Sequence, residues 1–207
     1  MLMRKMFLPA LMGLSLSFAV PAVASASPEV NQPAPVFSGK AADGSTVSLE
    51  SFRGKTVVLE WTNHDCPFVK KHYGAENMQA LQKEAKEKDI VWLQVISSGP
   101  GKQGHVDGPT AIKLNEQRGA MPAGTILDPE GTIGKLYGAQ TTPHMYIIDP
   151  QGTLVYKGAI DSIPSARADD IPQSVNYVRE ALQAMGKGAT VPNPVTRAYG
   201  CAVHYSS

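Results

Sequence analysis

Cysteine is scarce in this chain: 207 residues carry only Cys66 and Cys201. That excludes a disulfide-built scaffold and a multi-thiolate metal cluster. Charge of either sign is also missing in excess, with 19 Lys and Arg against 18 Asp and Glu. No basic stripe marks a nucleic-acid surface, so no nucleic-acid partner is expected. Beyond the first 26 residues no apolar run approaches the ~20 residues that a membrane-spanning helix needs. Internal repeats are absent too.

What the chain does have begins at its N-terminus. Arg4 and Lys5 precede an apolar run from Met6 to Val20, and Ala24-Ser25-Ala26 is a small-residue cleavage pattern. This is the pattern of a secretory signal peptide cut after Ala26. The expected location is therefore exported and periplasmic, with no membrane insertion after cleavage. The mature chain would hold 181 residues, enough for one domain with a real core. In an exported protein two cysteines most simply form one disulfide. A domain of this size folds without one, so the pair is free to serve chemistry.

Strands alternate with helices along residues 27–188, the expected domain. Asp43-Gly44 between Val36-Phe37 and Thr46-Val47 predicts a hairpin. Thr56–Thr62 and Ile90–Ile96 are β-rich apolar runs, the pattern of buried strands. A helix is expected from Pro67 to Lys88, interrupted at Gly74. The four glycines and two prolines of residues 97–109 predict a mobile loop. Thr110–Arg118 and Thr132–Tyr137 read as helices, and Gly124–Leu127 as a short strand. His144–Ile148 and Thr153–Lys157 pair across the turn at Asp149-Pro150-Gln151-Gly152. A last helix, Val175–Met185, presents Val175, Val178, Leu182 and Met185 on one face. Residues 189–207 form an irregular tail carrying Cys201. The whole predicts an α/β sandwich around a mixed sheet.

In such a fold a site belongs where a strand ends and a helix begins. Cys66 occupies that place, in Thr62-Asn63-His64-Asp65-Cys66-Pro67-Phe68-Val69. A thiolate, not a thiol, is the nucleophile in exchange, and a helix N-terminus stabilises it through free N–H groups and partial positive charge. Lys70, Lys71 and His72 are read as further positive charge, and His64 as a second aid to ionisation. Glu60, within an apolar strand, is read as a buried proton acceptor with a raised pKa. The plain alternatives are an inert staple for Cys66 and an edge position facing water for Glu60.

These residues resemble the thioredoxin-like superfamily, and within it the AhpC/TSA-like redoxin branch. The stretch from Pro33 through Thr62 resembles the branch's entry hairpin and first central strand. Cys66-Pro67-Phe68-Val69 falls where thioredoxins carry C-x-x-C, with Val69 in place of the second cysteine. Glu60 matches their buried acid, and Thr142-Pro143 their threonine–cis-proline pair. The tail Ala198–Tyr205, with its Gly200-Cys201, resembles the end of a group of exported redoxin-domain proteins. The resemblance implies a thioredoxin-like sandwich, a mixed sheet flanked by helices with an N-terminal β-hairpin extension. It implies thiol–disulfide exchange, with Cys66 as nucleophile, Cys201 as resolving or disulfide partner, and Glu60 and Pro143 in support. Trp61, His64, Pro67, Phe68 and Thr142 would line a substrate groove, and Pro143 would keep a strand edge open beside Cys66.

The pattern departs from the branch where Leu59 and Asn63 replace the proline and threonine that peroxiredoxins place before their cysteine. Strong peroxidase activity is therefore not expected; a weak antioxidant thiol peroxidase is the first alternative. A copper or zinc module is the second. His64, Cys66 and His144 are the candidate soft ligands, but copper proteins on this fold use a Cys-x-x-x-Cys turn that is missing here. The expected site holds no metal and no cofactor. Its partners would be a protein or small-molecule thiol or disulfide and an external thiol donor.

Overall fold

The computed structural model describes residues 27–206. The expected signal segment, residues 1–26, lies outside the described residues. Among the described residues, nine strands and five α-helices follow in order. Strands β1 (Ser38–Ala41) and β2 (Thr46–Ser48) form the entry hairpin. Strand β3 (Val57–Trp61) leads into α1 (Pro67–Gly74) and α2 (Asn77–Glu87). Strand β4 (Val91–Ile96) is followed by α3 (Gly108–Gln117), β5 (Gly124–Leu127) and α4 (Thr132–Tyr137). Then come β6 (Thr141–Thr142), β7 (His144–Ile148), β8 (Leu154–Gly158), α5 (Tyr177–Gly186) and β9 (Cys201–Ala202).

Seven strands make one mixed sheet in the order β2-β1-β5-β4-β3-β7-β8. The three inner strands β5, β4 and β3 run parallel, and β1 and β7 join them antiparallel. The hairpin β1–β2 extends the β5 edge. Burial on both faces explains the composition of β3, whose five residues are all buried. Val57, Leu59 and Trp61 face one core, with Tyr137 and Tyr146. Val58 faces the other, with Val69, Tyr73 and Leu81 from α1 and α2 and Val178 from α5.

The expected split at Gly74 is present, as α1 ends there and α2 starts three residues later. Asp107 caps α3 by accepting from the Thr110 N–H at 2.9 Å. Val175 does not join the buried face of the last helix. Asn176 is that helix's cap, so Val175 falls before it and is 48% exposed. The tail departs most from expectation. The Thr196 N–H donates to the Lys157 carbonyl at 3.1 Å, and β9 then pairs antiparallel with β6. Beyond it, Gly99 of the glycine-rich loop donates to the His204 carbonyl at 2.8 Å. The tail thus crosses the end of the sheet where β3 hands over to α1.

Candidate active site

Cys66 is the N-cap of α1, with Pro67 at its first position. Asn63 shapes the approach. Its side chain accepts from the Asp65 N–H at 2.9 Å, and its carbonyl accepts from the Cys66 N–H at 3.1 Å. This turn aims the Cys66 side chain into the protein, where it is completely buried. The Cys66 thiol donates to the Thr142 carbonyl at 3.0 Å. Thr142 precedes Pro143, and the bond between them is cis, as the resemblance implied.

Cys201 stands directly across from Thr142 in the β6–β9 ladder. The two thiols are unbonded to one another covalently and lie within hydrogen-bond reach. Burial pushes the Cys66 thiol up, but hydrogen bonding from the Cys201 side chain and backbone and from the Val69 backbone outweighs it, and the net direction is down. Cys201 moves the other way, to about 12, through burial, its hydrogen bond to Cys66 and the charge there. One proton lost from this pair therefore leaves Cys66 as the thiolate.

The tail is fastened on both sides of Cys201. On one side the Tyr199 hydroxyl donates to Asp161. On the other, Val203 N–H bonds to the Gln140 carbonyl at 2.9 Å and the Tyr205 hydroxyl to the Ala139 carbonyl at 2.6 Å. Gly200 lets the strands touch. Its φ is 139°, and a Cβ there would sit 2.0 Å from the Thr142 carbonyl oxygen, the very atom that accepts from Cys66.

Several sequence expectations change here. The strand edge that Pro143 was expected to keep open is occupied by β9. Trp61 does not line a groove. It points into the core on the opposite face of the sheet from Cys66, bonding Ser97 Oγ at 3.0 Å and packing on Tyr137 and Tyr146. Lys71 and His72 do not add charge beside the thiol. Lys71 is buried against Asp161 at 3.2 Å, and His72 lies behind it, held down at about 4 chiefly by burial. His144 is likewise buried and lowered to about 4, so these two histidines are neutral core groups.

The remaining expected residues divide between the site and its margins. Pro67 is exposed at the mouth of the turn, and Phe68 packs edge-on against Tyr199 at 5.7 Å. Thr142 is buried, and its hydroxyl has no partner. His64 turns away toward Asp65 at 3.4 Å, beside a groove of about 1100 Å³ between α1, α2 and α3. Glu60 is buried as expected, and burial raises it. Its hydrogen bonds go to Tyr73, Gln82 and Trp92, not to either sulfur. Among the described residues no group of three His, Cys, Asp or Glu side chains is placed to hold a metal ion. Sequence reasoning missed Asp161 and Tyr199, the anchor of the tail. Only the oddity of adjacent Lys71 and His72 on a packed helix pointed toward a buried counter-charge.

Fold and site together define a thioredoxin-fold protein with a dithiol at the strand-to-helix junction. The chain belongs to the AhpC/TSA family, whose sequence profile matches residues 30–157. That membership makes it a redox enzyme. Cys201 falls outside the matched segment. The structure is similar to an uncharacterized conserved protein from Geobacillus kaustophilus, with a TM-score of 0.72 and 25% identity over 91% of this chain and 98% of that one. It is similar to a hypothetical protein from Sinorhizobium meliloti 1021, with a TM-score of 0.70 and 20% identity over 88% of this chain and 98% of that one. The thioredoxin domain of a thiol-disulfide oxidoreductase from Bacteroides vulgatus shares the fold at a TM-score of 0.51 and 19% identity, over 71% of this chain and 98% of that one. No curated protein matches the chain.

Proposed function

We propose that the chain is a thiol–disulfide oxidoreductase whose working couple is Cys66 and Cys201, acting in the periplasm on thiol or disulfide substrates. The observation that carries this is the placement of Cys201. A tail far along the chain is laid across the Thr142–Pro143 edge and sets its sulfur on Cys66. A packed core of this size needs no such staple, and the two thiols are poised with opposite acidities. The oxidoreductase named among the similar structures agrees with this reading. The periplasmic setting rests on the N-terminal sequence, and no helix among the described residues is long and apolar enough to cross a membrane. Glu60 fits the role of a buried proton acceptor, reached from the pair only through intervening groups because its own bonds go to Tyr73, Gln82 and Trp92, and Pro143 shapes the edge on which β9 lies.

The test is equilibration of the full chain in glutathione buffers, followed by alkylation and mass spectrometry. The two cysteines are expected to interconvert as a pair between about −120 and −270 mV, the span of exchange catalysts. A bond that resists reduction below about −300 mV would be a staple, and the catalytic reading would fall.

A further inference from the structure

We infer that outside thiols and disulfides exchange with this chain at the Cys201 sulfur, while Cys66 works from beneath it as the internal sulfur. The inference rests on the proposed redox role of the pair and reverses the order of contact that the sequence suggests.

Access decides which sulfur of a pair meets a partner. Cys66 has no exposed surface, whereas Cys201 is partly exposed. The cover over Cys66 is not a loose flap. Strand β9 lies on β6, with Tyr199 fastened to Asp161 before it and Val203 and Tyr205 fastened after it. The Gly200 backbone sits so close to the Thr142 carbonyl that no side chain would fit between them.

The chemistry agrees with the geometry. Starting from the Cys66–Cys201 disulfide, an external thiolate attacks the Cys201 sulfur. A bond forms between that sulfur and the incoming one, the Cys66–Cys201 bond breaks, and its electron pair leaves on Cys66. A second external thiolate attacks the bound external sulfur. The external disulfide departs, and Cys201 takes up a proton. Two external thiolates have become one disulfide, and the chain's disulfide has become the Cys66 thiolate and the Cys201 thiol. In the opposite direction the Cys201 S–H passes its proton to the Cys66 thiolate as its sulfur attacks the external disulfide and releases one external thiolate. That thiolate takes the proton from Cys66, and the Cys66 thiolate then attacks the Cys201 sulfur and expels the second external thiolate. Cys66 is the better leaving group in the first direction, because its hydrogen bonds favour the thiolate. Attack at Cys66 would instead have to expel the Cys201 thiolate, which burial disfavours.

The test uses the single-cysteine variants Cys66→Ser and Cys201→Ser of the full chain, each treated with oxidised glutathione and read by mass spectrometry. The Cys201 adduct in the first is expected to form at least about tenfold faster than the Cys66 adduct in the second. In guanidinium, where both variants are unfolded, that advantage should vanish. Capture by folded Cys66 at an equal or higher rate would overturn the inference. Adding Gly200→Ala to Cys201→Ser should lift the tail and speed the Cys66 reaction severalfold. No change would mean that β9 is not the cover, and would also overturn it. In wild type, acid quenching during reduction by glutathione should trap the adduct on Cys201 with Cys66 free. A wild-type pair that fails to interconvert at all would remove the catalytic role, yet the variants would still rank the two sulfurs, so the two failures are distinguishable.

Discussion

Two buried carboxyl groups lie on either side of α1, and their surroundings are opposite. Glu60 is fully buried among neutral donors, with Tyr73 Oη at 2.9 Å and Trp92 Nε1 at 2.8 Å. The nearest cation, Arg118, sits beyond Tyr73, stacked on its ring at 3.9 Å. Asp161 is equally buried but meets the Lys71 ammonium directly at 3.2 Å, with Ser174 Oγ at 3.3 Å and the Tyr199 hydroxyl also bonded. Neutral hydrogen bonds do not offset the cost of burying a charge, so Glu60 is pushed toward its protonated form. A buried counter-ion does offset much of it, so Asp161 can serve as a charged anchor. The same side-chain chemistry thus gives a group that can take up a proton on one side and a fastener for the tail on the other.

The largest effect should come from breaking the anchor at its charge. Lys71→Met leaves Asp161 buried without its cation, and the expected cost is about 3–5 kcal/mol in urea unfolding. Asp161→Asn alone should cost a similar amount by stranding Lys71. The double variant should recover a large part of either loss, because no buried charge remains. Additive losses in the double variant would show that the pair does not act as a unit.

A smaller and pH-dependent effect separates the two environments. Glu60 is raised in the folded chain, so its contribution is intact below the ordinary carboxyl value near 4.5 and is lost as pH rises through the raised value. Glu60→Gln should therefore gain on wild type between pH 5 and 8, by about 1.4 kcal/mol for each unit of the raise. His72, beside Asp161, is lowered to about 4 from 6.5. Its contribution is intact above 6.5 and is lost as pH falls toward 4. His72→Asn should flatten the acid side of the stability curve, whereas Glu60→Gln flattens the other. Urea midpoints across that range check both, and parallel curves for all three proteins would sink the contrast.

Much of this was legible in the sequence, because it depends on neighbours in the chain. The strand run before Cys66, the interruption at Gly74, the helix at Thr132–Tyr137 and the Thr142-Pro143 pair all announce themselves locally. What failed to show depends on distance. A sheet buried on both faces gives no alternation, so nothing in Val57–Trp61 says that Trp61 and Glu60 point to opposite cores. Lys71 reads as a free charge because its partner is 90 residues away. Strand β9 is two residues long, too short for any periodic pattern. The order in which the sulfurs face solvent was invisible for the same reason.

The smallest effect, and the one closest to the chemistry, belongs to Tyr199→Phe. The ring stays packed on Phe68, so only the hydroxyl's bonds are lost, to Asp161 and, at 3.5 Å, to His72 Nε2. A single hydrogen bond to a charged group contributes about 1.5–3 kcal/mol, and because Asp161 keeps Lys71 and Ser174 the lower end applies. Global stability should therefore move little. The local fastening of β9 should move more, since Tyr199 stands two residues before Cys201. Alkylation of Cys66 by iodoacetamide in the Cys201→Ser background should rise severalfold when Tyr199→Phe is added. If the rate holds steady, the clamp on Cys66 lies with Gly200, Val203 and Tyr205, and Asp161 supports the fold without gating the thiol.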